Sequence, residues 1–199
     1  QEGRWVVQAE DGTTRTLRCR YTSGGEEAFE LDPVFFGWAK YGLYLQADQP
    51  YWEGEPLVTR WETATPAFFF GPDRLAPTFH ISRPPMPIQA VASNPGDIAA
   101  WPVWTLRGPL NSATLGVGSK VVTVPFALGG SDELVIDTRP TAQTAILNGS
   151  VDKTGDLGSF GFTKIPAGAD VNVVVTLNAP SDQVGSAELS LTPLYEWAF

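Results

Sequence analysis

The sequence is poor in the residues that build metal sites, disulfide frameworks and hydrolytic centres. Its 199 residues include one cysteine, Cys19, and one histidine, His80. One thiol cannot form an internal disulfide, so the fold does not depend on an oxidising compartment. Structural zinc needs three or four nitrogen and sulfur ligands, and a hydrolytic triad needs nucleophile, base and orienting group together. We predict no catalytic, cofactor-binding or metal-binding residues, and no enzymatic activity.

Positive charge and long apolar runs are also scarce. Thirteen Lys and Arg against 22 Asp and Glu give a net charge of −9, and no window gathers the basic residues into a stripe. Such a stripe is needed to neutralise a row of phosphates. No stretch approaches the roughly 18 apolar residues of a membrane span. We predict no specific nucleic-acid binding and no membrane insertion.

Aromatic residues, glycine and proline are abundant instead. Seven Trp, eleven Phe and five Tyr supply apolar surface that disordered chains lack. The 20 glycines and 17 prolines have no collagen-like period, which favours short strands joined by turns. The sequence therefore predicts an all-β protein.

Strand-like segments recur along most of the chain. Glu10-Asp11-Gly12 lies between two β-prone runs and predicts an N-terminal hairpin. Residues 51–87 carry seven prolines, and we interpret them as a crossover. The predicted strands are 4–8, 14–21, 41–47, 88–93, 101–107, 113–117, 120–127, 133–137, 143–147, 171–177 and 186–194. Their regular spacing is typical of a sandwich or barrel.

Several aromatic side chains are candidates for contacts with a subunit or another partner. The apolar cluster Phe68, Phe69 and Phe70 is the first, and Trp101 and Trp104 are the second. Trp101 and Trp104 stand three residues apart and cannot share one face of a strand. Aromatic residues of a sandwich also stack on sugars, but we favour core or subunit contact because both settings are rich in them.

Segments in the second half of the chain together resemble one family. They are 94–110 (NPGDIAAWPVWTLRGPL), 134–140 (LVIDTRP), 147–149 (LNG) and 165–168 (IPAG), with 47–52 (ADQPYW) before them and 191–195 (LTPLY) after them. In this order they resemble the C-terminal region of distal tail proteins, a group of minor tail proteins of long-tailed phages. The similarity is greatest to phages and prophages of actinobacteria.

The resemblance implies a structural protein of the virion, assembled in the bacterial host cytoplasm. Such proteins form a homo-oligomeric ring, typically a hexamer, that joins the tail tube protein to the tail hub or fibre proteins. Residues 1–49 would be the C-terminal part of a tube-like β-barrel domain, and residues 50–199 a galectin-like or jelly-roll β-sandwich. Most of the barrel domain then either precedes Gln1 or is absent from this member.

Two other functions remain open on sequence grounds. The first is a carbohydrate-binding module that attaches a virion or an enzyme to cell-surface glycan. The second is a glycoside hydrolase, which would need a cleft with two close carboxylates. Sandwiches host binding and assembly alike, so the fold does not separate these functions. An exposed Trp in a shallow polar groove would favour glycan binding, and a flat apolar patch would favour a ring.

Overall fold

The computed structural model describes residues 2–24, 35, 37, 42–63, 88–180 and 183–199. Apart from one 3₁₀ turn at Thr154–Asp156, their regular structure consists of antiparallel β-strands, so the all-β prediction is confirmed. No helix among these residues is long and apolar enough to cross a membrane. The chain divides into two compact units, residues 1–55 with 194–199 and residues 56–193.

The first unit contains a single sheet built around β2. Its strands are β1 (Glu2–Gln8), β2 (Thr14–Gly24), β3 (Leu43–Gln46), β4 (Trp52–Glu53) and β16 (Leu194–Tyr195). β2 pairs with β1, β3 and β4, and β4 pairs with β16. The predicted hairpin is confirmed: Gly12 adopts a positive φ of 88°, and Asp11 Oδ1 accepts the Thr13 amide at 2.9 Å. In the described residues this sheet is open and does not close into a barrel.

The second unit contains two further antiparallel sheets. One has the order β12-β11-β10-β7-β15-β5 and the other the order β13-β9-β8-β14-β6. The strands are β5 (Leu57–Glu62), β6 (Ile88–Asn94), β7 (Val103–Arg107), β8 (Ser112–Val117), β9 (Lys120–Val124), β10 (Glu133–Asp137), β11 (Thr144–Leu147), β12 (Val151–Asp152), β13 (Ser159–Phe160), β14 (Ala169–Asn178) and β15 (Ser186–Leu191).

Each of these two sheets has one buried apolar face. In the first, alternate residues of β7 and β10 are buried, including Leu106 and Ile136 at 0% exposure. In the second, alternate residues of β14 are buried, among them Val173 and Val175. Strands with a period of two bury one face and leave the other toward solvent. The second unit is therefore a β-sandwich-like arrangement with an apolar core.

Two sequence expectations differ from this structure. The predicted division at residues 49 and 50 falls within the first unit, which extends to residue 55 and also takes residues 194–199 because β16 pairs with β4. The crossover predicted at 51–87 contains β4 and β5, and β5 pairs along its length with β15. Residues 64–87 lie outside the described residues.

Candidate interaction surface

The strand register of the first unit brings several aromatic side chains to one side of its sheet. Cross-strand partners of an antiparallel sheet point to the same side. Trp5 pairs with Leu17, and Tyr195 pairs with Trp52. The rings of Trp5 and Trp52 meet edge to face with their centroids 6.0 Å apart. We call this side the aromatic face, formed by Trp5, Arg15, Leu17, Tyr21, Leu45, Trp52 and Tyr195.

Three of the seven side chains of the aromatic face are exposed to solvent, and the other four are half-buried. The exposed fraction is 51% for Trp5, 55% for Tyr21 and 40% for Leu45. Single exposed apolar residues are common, but contiguous patches of large ones usually mark interaction sites. The aromatic face is therefore the strongest candidate for a contact surface among the described residues.

Arg15 binds the C-terminal residues to this face through cation–π contacts and a hydrogen bond. Its guanidinium carbon lies 3.6 Å from the centroid of the Tyr195 ring and 5.0 Å from that of Phe199. Nη1 donates a hydrogen bond of 2.8 Å to the carbonyl oxygen of Trp197. A guanidinium stacked on aromatic rings gains cation–π attraction. The side chains of Trp197 and Phe199 remain exposed, and the Phe199 ring, which contacts Arg15, extends the aromatic face.

The opposite side of the same sheet carries two ion pairs together with the exposed side chain of Val6. Arg18 forms an ion pair of 3.1 Å with Glu53, and Arg20 forms one of 3.1 Å with Asp48. Ion pairs between exposed side chains contribute little to stability because water and salt screen them. This face has the chemistry of an ordinary solvated sheet surface.

The second unit carries a charge network across three strands. Arg107 on β7 contacts Glu133 on β10 at 2.9 Å and Glu188 on β15 at 3.1 Å. The hydrogen bond to Glu188 is the main cause that raises the pKa of Arg107. The two carboxylates thus share one guanidinium. In the described part of the chain no group of three or more His, Cys, Asp or Glu side chains could hold a metal ion.

The structure places the predicted contact residues in different settings. Trp104 is 2% exposed and packs inside the second unit, where its ring lies 6.1 Å from that of Trp61. The expected contact at Trp104 is therefore corrected, because a core side chain offers no surface to a partner. Trp101 is half-buried and lies outside the strands. The candidates Phe68, Phe69 and Phe70, and His80 with them, lie outside the described residues.

Asn94, which opens the segment 94–110, has a structural role. Its side chain is fully buried. Nδ2 donates to the carbonyl oxygens of Ile98 and Ile165, and Oδ1 accepts the amide of Gly96, each at 3.0 Å. The loop that follows β6 is thereby tied to the segment 165–168.

Hydrogen bonds from polar side chains also fix the segments 134–140 and 147–149. Buried Thr138 donates its hydroxyl hydrogen to the carbonyl oxygen of Pro102. Asn148 donates through Nδ2 to Asp132 and accepts the amide of Glu133 through Oδ1, both at 2.9 Å. Polar side chains at these positions satisfy backbone groups that the strands leave unpaired. The segments that carry the phage resemblance therefore position loops.

The aromatic face was not identified from the sequence. Its members come from both ends of the chain, and the ring contact between Trp5 and Trp52 depends on the pairing of β4 with β2. The local signal was the β-prone run at residues 4–8, which contains Trp5 and indicated a strand without indicating its partner.

Comparison with known proteins gave no match. No protein-family model matches the chain, and neither a curated protein nor a solved structure is detectably similar to it.

Proposed function

We propose that the protein is a structural component of a phage tail tip. In this proposal it is a distal or minor tail protein that forms a ring between the tail tube and the hub or fibre proteins, and it acts by assembly and not by catalysis. The observation that carries the proposal is the aromatic face, on which Trp5 and Tyr21 are each more than half exposed. A closed ring would bury such a patch against a neighbouring subunit.

The sequence resemblance supplies the identity of the assembly. Four of its six segments lie in the second unit, where Asn94 and Asn148 hold loops in place. The hydrogen bonds of these two side chains fix the conformation of the loops that join the strands of this unit. In the proposed protein this sandwich-like unit is the outward galectin-like domain, and the first unit takes part in the ring.

The test is the oligomeric state of the full chain. Native mass spectrometry and negative-stain images of the same sample should show closed rings of about six copies, as expected of cyclic symmetry. Trp5→Lys should weaken each subunit contact about 30-fold, the size expected for a central Trp anchor. The ring should then give way to monomers at working concentrations.

Val91→Lys is the matched control. Val91 lies on β6 of the second unit, and at 57% its exposed fraction is close to that of Trp5. This variant should keep the ring, and circular dichroism should show that both variants are folded. A wild-type chain that stays monomeric at high concentration, or a Trp5→Lys chain that assembles as well as the wild type, would contradict the proposal.

Glycan binding is the second candidate, because the same face presents exposed rings. Trp5 and Tyr21 could stack on sugars, and Arg15 is a polar group on the same face. A glycan array with the full chain tests this function directly. If Trp5→Ala abolishes a specific signal while the oligomeric state stays unchanged, carbohydrate attachment replaces the ring proposal.

A further inference from the structure

The turn between β11 and β12 contains the one Asn-Gly pair in the sequence, Asn148-Gly149. Both residues adopt positive φ, 51° and 69°, and Ser150 donates its amide to the Leu147 carbonyl oxygen at 3.2 Å. Asn-Gly suits such a turn because Asn tolerates this backbone region and Gly has no Cβ to oppose it. The same missing Cβ leaves the Gly149 amide nitrogen accessible to the Asn148 side chain, which makes the pair chemically labile.

Both polar atoms of the Asn148 carboxamide form hydrogen bonds. Nδ2 donates to Asp132 Oδ1 at 2.9 Å, and Oδ1 accepts the amide of Glu133 at 2.9 Å. Asp132 is itself fixed, because its Oδ2 accepts the Gly129 amide at 2.7 Å. The Asn148 side chain therefore couples the tip of the hairpin to the loop that precedes β10.

We propose that Asn148 is a deamidation site whose reaction Asp132 holds back. In the reaction the Gly149 nitrogen attacks Asn148 Cγ, the new N–Cγ bond forms, and the Cγ–Nδ2 bond breaks. The proton from the Gly149 nitrogen leaves with Nδ2 as ammonia. Water then opens the cyclic imide to aspartate or isoaspartate. The carboxamide must first rotate away from Asp132 and from the Glu133 amide, so those two hydrogen bonds oppose the attack.

Deamidation would undo the coupling that the Asn148 side chain provides. The product carboxylate has no hydrogen to donate to Asp132, and its negative charge faces the charge already there. The hydrogen bond from Asn148 is also the main cause that lowers the pKa of Asp132. Like charges at this distance repel, and the turn at residues 148–150 should separate from the loop at residues 129–133.

Peptide mapping by mass spectrometry, with the full chain incubated in mildly alkaline buffer, tests the proposal. Asn148 should deamidate faster than the other asparagines in urea, and more slowly in the native protein than in urea. Asp132→Ala should accelerate the native reaction about fivefold, the factor that corresponds to one net hydrogen bond. Asp156→Ala is the matched control, since Asp156 is an exposed residue of the 3₁₀ turn whose carboxylate contacts Lys153. Its rate should equal that of the wild type.

Two results would overturn the proposal. One is an equal rate for native Asp132→Ala and native wild type. The other is an equal rate for native and urea-unfolded wild type, which decides the question even if Asp132→Ala does not fold. As a second readout, Asn148→Asp should speed hydrogen exchange at the amides of residues 129–133 and 148–150, whereas Asp156→Ala should not.

Discussion

Replacing Asn94 by alanine should destabilise the second unit more than any exposed substitution. The side chain is fully buried and makes three hydrogen bonds of 3.0 Å. Alanine leaves the Ile98 carbonyl and the Gly96 amide without these partners, while the Ile165 carbonyl keeps its bond from Ala100. At about 1 kcal/mol net for each bond, the free energy of unfolding should fall by about 3 kcal/mol.

Urea unfolding monitored by circular dichroism measures this change, with Asn172→Ala at an exposed position of β14 as the control. Hydrogen exchange shows where the structure is weakened. The Ala100 and Ile165 amides donate to each other's carbonyl oxygens at 3.0 and 2.8 Å, and both amides should exchange faster in Asn94→Ala than in the wild type. The reasoning fails if Asn94→Ala stays within about 0.5 kcal/mol of the control, the usual range for surface changes.

Three other predictions follow from the described contacts. Trp104→Ala should lower the free energy of unfolding by about 3–5 kcal/mol because the ring is buried, and half-buried Trp101→Ala should cost clearly less in the same urea titration. Arg15→Met removes the anchor of the C-terminal aromatic residues, so hydrogen exchange there should speed up while the second unit stays unchanged. Burial raises the pKa of Asp137, but the hydrogen bonds from Arg139 outweigh it and lower the pKa below 3.8. Its stabilising contribution is therefore complete above pH 3.8 and is lost as the pH falls through the lower folded value. An Asp137→Asn variant should be less stable than wild type near neutral pH, and an acid titration should show the difference shrinking at low pH.

Local turn chemistry accounts for what the sequence predicted well. Gly12 supplies the positive φ that the first hairpin needs, and this hairpin was predicted because Asp11-Gly12 lies between two β-prone runs. The strand at residues 133–137 was predicted as one of a series of short strands separated by turns, and the structure gives it the same bounds. Signals of this kind lie within a few residues, where backbone geometry and side-chain period determine the outcome.

Long-range pairing accounts for what the sequence did not predict. β5 lies in a proline-rich segment and becomes a strand through its pairing with β15, where Trp61 stands opposite Ala187. The two residues of β4 are too few to show any period, and their partners Thr16 and Tyr195 come from opposite ends of the chain. No local pattern carries that information, because the stabilising contacts form only once the distant strands meet.

The aromatic face depends on this long-range pairing. Experiments on the face therefore need a chain that includes the C-terminal residues. Tyr195 belongs to the face, and Phe199 and Trp197 join it through Arg15. A fragment that ends at Pro193 would lose β16 and these three aromatic residues, and it would leave the Arg15 guanidinium without the rings of Tyr195 and Phe199. Such a fragment could fail to assemble, or fail to bind glycan, simply because the surface is incomplete. Experiments on both proposed functions therefore need residues 194–199, and a fragment without them serves only as the control that lacks part of the surface.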